Sequence, residues 1–421
     1  MTPIPHISLE PPSRPAPLLR PRGSNHVGMR QFNERVVLQA IRQNGSLPKA
    51  DLARLTGLTA QTIGLITTRL EEDGLLIRHN PVRGRIGQPS VPLALNPDGA
   101  FSIGIKIGRR NTDWLLVDFT GRVRLRKTLP YPFPEVTRLL PALGANMRAL
   151  QAELGSLSSR LVGVGVAAPF QLGGWHKMLG LSSTQSNRWN EIDLSAEVQT
   201  MTDLPVSFAK DASAACVAEL VAGRGRDLKS FLYLFVDTFV GGGLVINSHL
   251  HSGTHGNAGA VASLPLHAAE VSSATSEACS ATQPSQLIDQ ASLWDLEQRF
   301  KAQGLDPAAA YDDRAVLSPY AEVSNAWVQR AAIALAHCVV SGTAFLDLDA
   351  VVIDGSLCRA LLQQLIAQTK ADLSRYNAEG LWPATVLAGS IGSDARALGG
   401  ALLPLHANFA PDKDLFLKAT T

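Results

Sequence analysis

From Phe101 onward, short aliphatic runs alternate with segments of helical periodicity, and that alternation limits the fold more than any other feature of the chain. Ile103–Ile107, Trp114–Val117, Leu161–Val166, Leu232–Val236, Leu244–Asn247 and Ala350–Ile353 read as strands, and Val136–Leu150, Ala212–Ala222 and Ala321–Leu335 as helices between them. Parallel strands need crossover connections, so a chain that alternates in this way predicts an α/β body, here in two lobes over residues 98–421. Gly241-Gly242-Gly243 and Gly389-Ser390-Ile391-Gly392 read as turns after strands. Such turns either cradle phosphate or simply permit tight connections.

Ahead of this body the periodicity is purely helical. Val36, Val37, Ala40 and Ile41 predict a first helix over Gln31–Gln43, stopped by Asn44-Gly45. A second helix follows over Pro48–Thr56, with its proline in the first turn and Leu52 and Leu55 facing inward. Gly57 supplies a tight turn, Thr59 caps a third helix, and Ile63, Ile66 and Leu70 form that helix's inner stripe. Gly74-Leu75-Leu76-Ile77 begins a strand. Two helices joined by a short glycine turn and followed by a strand pair form the winged helix-turn-helix pattern, expected over residues 28–97.

On the third helix Gln61, Gly64, Leu65 and Thr68 fall opposite the core stripe. Glycine inside a helix costs about 1 kcal/mol relative to alanine, and close approach to a DNA backbone or base edge would explain Gly64. At the expected wing stands Val82-Arg83-Gly84-Arg85-Ile86-Gly87-Gln88-Pro89. A thin, arginine-bearing segment suits a narrow minor groove. Lys49, Ala60, Gln61, Thr62, Gly64, Leu65, Arg83 and Arg85 are therefore the candidate DNA-contact residues.

Charge supports the division. Residues 1–97 hold 12 Lys and Arg against 6 Asp and Glu, whereas the rest of the chain holds 26 against 30, although the net charge of the whole is only +2. A basic small end on a mildly acidic body suggests a nucleic-acid module joined to something else. Residues 1–27, with seven prolines and no periodicity, read as a disordered tail. The 421 residues are 45% hydrophobic, enough for two or three cores at roughly 150 residues per domain. No run is long and uninterrupted enough to predict a bilayer span, and no export leader is expected. Cys216, Cys279, Cys338 and Cys358 are scattered, which fits a reducing cytoplasm and neither a disulfide framework nor a metal cage.

The order of these pieces resembles the regulator branch of the ROK family (repressors, uncharacterised reading frames and sugar kinases), from about Asn33 to Pro411. The matching residues are Lys49–Ala53, Thr56-Gly57-Leu58, Thr62, Gly74-Leu75-Leu76 and the Arg83-to-Pro89 wing. In the body they are Ile103-Gly104-Ile105, Gly163–Pro169, Trp189, Asp211-Ala212, Glu219, Gly241–Gly243, Gly259 and Gly392–Leu403. The resemblance implies an actin-like, ribonuclease H-like two-lobed body, with sugar and ATP held between the lobes in the kinase members.

Departures from the family pattern carry the functional expectation. Family kinases have Asp-Ile-Gly-Gly-Thr-Lys where this chain has Lys106-Ile107-Gly108-Arg109-Arg110-Asn111. Asp237-Thr238-Phe239-Val240-Gly241 stands in place of a second, glycine-rich phosphate turn. Phosphoryl transfer depends on positioning and metal-assisted charge neutralisation, and these changes oppose both. Arg109 and Arg110 read either as binding an anion or as solvent-facing. The family's zinc motif aligns on Cys279, with Ala281, Thr282 and Ser285–Ile288 in its other positions; one thiol of three remains, and no zinc or other cofactor is expected. The family's sugar-binding Glu-x-Gly-His corresponds to Ala260-Val261-Ala262-Ser263.

Asp211, matching the family's general base, reads as a base, a ligand contact or a helix cap. Asn187, Trp189, Lys210, Asp211 and Ser263 are the candidate ligand residues by this resemblance. The expected function is a cytoplasmic DNA-binding transcriptional regulator of carbohydrate-related genes, a repressor. It would be a homodimer or homotetramer on an inverted repeat of double-stranded DNA, with a non-catalytic kinase-like body open to a sugar or sugar derivative. The alternatives are an ATP-dependent sugar kinase with an added DNA-binding domain, and a regulator that has lost small-molecule sensing.

Overall fold

Val37, Leu38 and Ile41 turn one face of helix α1 (His26–Asn44) inward, where they meet Leu52 of α2 (Lys49–Thr56) and Ile63, Ile66 and Leu70 of α3 (Ala60–Glu72). α1 extends beyond the Gln31–Gln43 span at both ends. Gly57 closes α2 in the left-handed region, at φ 70°, and donates to the Ala53 carbonyl over 3.0 Å. Thr59 caps α3, its hydroxyl oxygen accepting from the Thr62 N–H at 3.2 Å. Strands β1 (Ser46–Leu47), β2 (Leu76–Arg78) and β3 (Leu93–Leu95) form an antiparallel sheet in the order β1-β3-β2, one strand more than the expected pair. The β2–β3 pairing continues to the His79 N–H on the Pro92 carbonyl, 2.9 Å. The structure, a computed structural model, describes residues 26–81, 90–170, 172, 183–266 and 285–411. The Val82–Pro89 wing with Arg83 and Arg85, the tail expected over residues 1–27 as far as residue 25, and Cys279 with Ala281 and Thr282 lie outside them.

The chain divides into two compact units, Met1–Asn96 with Phe409–Thr421 and Pro97–Asn408. The second contains two lobes. Lobe I has strands β4 (Phe101–Ile107), β5 (Asn111–Asp118), β6 (Val123–Pro130), β7 (Leu161–Ala168) and β8 (Val206–Lys210), with helices α4 (Val136–Glu153), α5 (Ser183–Asn190) and α6 (Leu194–Gln199). After α7 (Asp211–Ala222), lobe II has strands β9 (Phe231–Val236), β10 (Gly241–Ile246), β11 (His249–Leu250), β12 (Ala350–Gly355) and β13 (Thr385–Ala388). Its helices are α8 (Leu287–Ala291), α9 (Leu293–Ala302), α10 (Ala321–Leu346) and α11 (Arg359–Leu373), and α12 (Ala395–Phe409) ends the body.

The sheets run β6-β5-β4-β7-β8 and β11-β10-β9-β12-β13. In each, the first three strands are antiparallel and the last two join in parallel. Equal order and polarity in both lobes make this the two-lobed, actin-like arrangement of a repeated ribonuclease H-like unit. Every residue of β4, β9 and β12 is buried, as expected for central strands covered on both faces.

Glycines let the central helices approach. A Cβ on Gly399 of α12 would stand 1.7 Å from the Ala214 carbonyl oxygen of α7, and one on Gly165 of β7 1.9 Å from that of Gly400. Gly241-Gly242-Gly243, expected as a turn, lies inside β10. Cys216 of α7 packs where a Gly243 side chain would point, so these glycines admit a helix to the sheet. α10 is long and apolar enough to cross a bilayer by length and composition. In this fold Trp327, Ala331 and Leu335 bury it in the lobe II core.

Candidate functional site

The first candidate surface is the outer face of α3. Ala60, Gln61, Leu65 and Thr68 are exposed there, Leu65 by 67%. A Cβ on Gly64 would meet nothing within 4 Å among the described residues, so no contact with them explains the glycine. The Thr62 hydroxyl shares a hydrogen bond with that of Thr59 at 2.8 Å, giving it a part in the cap that sequence spacing did not reveal. Several basic residues of this unit are held by acids: Arg54 by Asp51 at 2.9 Å, Arg69 by Glu34 at 2.9 Å and Arg78 by Glu71. Lys49 stands exposed in the first turn of α2, where a cation opposes the helix dipole and a phosphate would relieve it.

The second site lies between the lobes. The turn after β4 and the segment after β9, the two runs that stand in place of phosphate turns, face each other across a space of about 340 Å³. Lys106, only 5% exposed, occupies the position of the family's aspartate. Its Nζ donates to Asn111 Oδ1 at 2.5 Å and lies 3.5 Å from Asp113. Asp237 is gripped by Arg396 of α12 at 2.5 Å, and Asp394 by Arg126 at 2.7 Å. Each acid lining this space among the described residues thus faces a built-in cation.

Arg110 is exposed, as one of the two expectations had it, but it is not free. It binds Glu297 of α9 at 2.6 Å, tying lobe I to lobe II, and Glu297 also accepts from the Tyr311 hydroxyl at 2.5 Å. Tyr311 meets Thr238 at 2.9 Å. The Arg109 guanidinium stacks 4.8 Å above the Phe239 ring, so the residue that replaced a phosphate-turn glycine now supports an arginine.

Beside this space opens a wider cleft of about 510 Å³, and Lys210, Asp211 and Ser263 all line it. Asp211 begins α7, where its Oδ1 accepts from the Ala212 N–H at 2.8 Å; Oδ2 lies 3.7 Å from Arg396. Lys210 donates to the Ala258 carbonyl at 3.0 Å and Asn257 Oδ1 at 3.3 Å. Trp189 does not reach the cleft. It fills the lobe I core, 6% exposed, with its indole N–H given to the Pro134 carbonyl at 2.7 Å. Asn187, on α5, is exposed and does not line the cleft. Arg396, the hub of the site, was missed by sequence reasoning; its signal was a lone cation in the first turn of an apolar helix.

The electrostatics follow from burial. Asp237 is desolvated, which alone would raise its carboxyl, but the Arg396 and Lys106 charges and hydrogen bonds from Ser356 and Thr238 hold it below the ordinary range. Burial lowers Lys106 to about 8; Arg396 adds to the fall, and Asp113, Asp237 and Asp211 oppose it. Burial likewise lowers Lys210 to about 8, against Asp211 and Cys216. Both folded values lie below that of an unfolded lysine, so the unfolded chain binds the proton more tightly. Stability is therefore expected to rise as pH climbs from about 8 toward the unfolded lysine value near 10.5. Urea unfolding across this window should show Lys106→Met losing on the order of 2 kcal/mol of that rise, with the Lys210 share remaining.

The residues do not fit the groups that kinase relatives imply. A magnesium-bound nucleotide would meet Lys106, Arg109 and Arg396, with the nearby carboxylates engaged. Among the described residues no cluster of three His, Cys, Asp or Glu side chains suits a metal ion, and Leu287 and Ile288 in the zinc-motif positions are core residues.

The sequence matches the ROK family over residues 102–407 and a winged helix-turn-helix DNA-binding family over residues 33–77. The chain belongs to the ROK family. The xylose repressor of Bacillus subtilis (strain 168) is 24% identical to this ROK protein over 233 residues, covering 55% of this chain and 59% of the repressor. This chain therefore aligns with less than two thirds of that relative's length. A crystal structure of a ROK family transcriptional regulator, a homologue of the E. coli MLC protein, superposes with a TM-score of 0.64 at 18% identity, over 91% of this chain and 98% of the other. A ROK glucokinase of Streptomyces griseus, in complex with glucose and AMPPNP, gives 0.51 at 20% identity over 72% and 99%. These structures share the fold.

Proposed function

We propose that this ROK protein is a cytoplasmic DNA-binding transcriptional regulator, a repressor of carbohydrate-related genes, whose body binds a small effector without catalysing phosphoryl transfer. One observation carries the reading: the chain presents an exposed recognition face on α3 while its kinase-type cleft has carboxylates held by its own cations. Lys49, Ala60, Gln61, Thr62, Gly64 and Leu65 lie against the major groove and its phosphates, with Leu65 suited to a thymine methyl. Arg83 and Arg85 enter the flanking minor groove. Two such units in a homodimer or homotetramer read an inverted repeat, phosphate contacts positioning and base contacts specifying. A sugar or sugar derivative in the 510 Å³ cleft changes DNA affinity by differential binding to the two lobe arrangements.

Selection of bound duplexes from fragmented genomic DNA at physiological salt tests this. An enriched inverted repeat is expected, and enrichment of nothing beyond salt-sensitive bulk binding would sink the reading. The second reading, a sugar kinase with a DNA-binding end, draws on Asp211 in the cleft. A coupled ATP assay over a sugar panel should show no turnover, and turnover lost in Asp211→Asn would establish the kinase instead.

A further inference from the structure

The cleft contains more cation than the protein itself satisfies. Arg109 and Arg396 line both the 510 Å³ cleft and the 340 Å³ space beside it, so they stand where the two join. The Nε of each is buried and donates no hydrogen bond among the described residues. The wider cleft is lined by Arg109, Arg396 and Lys210 and by one carboxylate, Asp211, which already gives one oxygen to its own helix. Asp237, in the space beside it, pairs with Arg396 and leaves Arg109 without an ion-pair partner among the described residues.

An arginine cannot shed its proton, so a buried guanidinium with an unused donor needs an acceptor. Hydroxyls would meet the hydrogen-bond demand and leave the charge. A phosphate or carboxylate meets both, since its oxygens accept from two guanidiniums at once. α7, 12 residues long, also opens its N-terminus into the same cleft at Asp211-Ala212, adding positive potential. The rest of the wall is of another kind. Asn257 and Ser263 offer amide and hydroxyl partners, Phe235 and Phe239 offer apolar faces, and the volume is that of a small-ligand pocket.

We propose that the effector is a monosaccharide-sized polyhydroxy compound ending in one anionic group, phosphate or carboxylate. Its anion lies between Arg109 and Arg396, and its hydroxyls lie toward Asn257 and Ser263. This rests on the reading of the cleft as an effector site.

The minimal probe is inorganic phosphate, compared with chloride at equal ionic strength. At 10 mM or about that concentration it should raise the thermal midpoint of the full chain by about 2 °C. Calorimetric titration then compares glucose with glucose 6-phosphate and glucuronate, and mannose with mannose 6-phosphate. At least one anionic member should bind more than about tenfold tighter than its parent sugar and than phosphate alone, and Arg109→Gln should bring that preference below about threefold. Parent sugars binding as tightly as their anionic forms would overturn the inference and leave the effector cleft standing. Phosphate bound no more weakly than any sugar phosphate, an adventitious ion only, would overturn it as well. So would the absence of any response to phosphate, sugar acids and sugar phosphates, while the genomic selection reports on DNA binding independently. If Arg109→Gln lowers the midpoint in chloride, Arg109→Lys serves; it keeps the charge, loses the fork and should show an intermediate preference.

Discussion

Gly64→Glu is expected to abolish sequence-specific DNA binding while leaving the fold intact. Gly64 lies within α3 on the face away from Ile63, Ile66 and Leu70, and a Cβ built there meets nothing within 4 Å among the described residues. In the free protein the substitution should therefore cost nothing. Filling an interior helical glycine recovers up to about 1 kcal/mol of helix propensity, so the thermal midpoint should hold or rise. Against DNA the effect reverses. A glutamate puts bulk and negative charge where the helix would approach bases and phosphates. At fixed salt the affinity for an enriched duplex should fall at least about 100-fold, equivalent to about 2.7 kcal/mol. Gly64→Ala grades the effect, because it adds one methyl and no charge. Wild-type affinity in the Gly64→Glu variant would mean that this face of α3 does not read DNA.

That Gly64 could be singled out at all shows what local pattern reveals. The α3 stripe, the Gly57 turn and the Thr59 cap are each set by neighbours a few residues away and were legible for that reason, whereas Leu55, expected to face inward on α2, is 54% exposed. The central strands β4, β9 and β12 were legible too, since their burial on both faces leaves unbroken apolar runs. β6 was missed because it is an exposed strand, with Arg124, Arg126 and Lys127 among its residues. β13 was missed because four residues, Thr385–Ala388, carry too little pattern. At the cleft, the replacement of an aspartate by Lys106 was readable, but what Lys106 does was not. Its partners converge from several segments, and Arg396 lies far along the chain from Asp211 and Asp237. Trp189 failed for a related reason. A tryptophan near a ligand loop reads equally well as wall or as core, and only its hydrogen bond to Pro134 separates the two.

The Asp237–Arg396 pair carries the other large expectation. Both side chains are nearly buried, 10% and 14% exposed, and they meet at 2.5 Å. Removing one partner of a buried pair leaves the other charge without compensation, which typically costs 3–5 kcal/mol, roughly the range expected for Asp237→Ala in denaturant unfolding. Here the loss is sharpened by Lys106, a second buried cation that Asp237 helps to balance. Asp211→Ala should cost clearly less, since its contact with Arg396 is 3.7 Å and its side chain is 19% exposed. In Asp237→Ala/Arg396→Met the orphaned charge is gone, so much of the stability should return, and the double-mutant cycle should give a large coupling. The acid limb provides an independent check. Asp237 titrates below its unfolded value, so its contribution is present above that value and is lost as pH falls through the folded one. The wild-type protein should therefore lose stability more steeply below about pH 4 than Asp237→Ala does. Equal acid slopes, or additive costs in the cycle, would show that Arg396 holds the lobes by packing and not by charge.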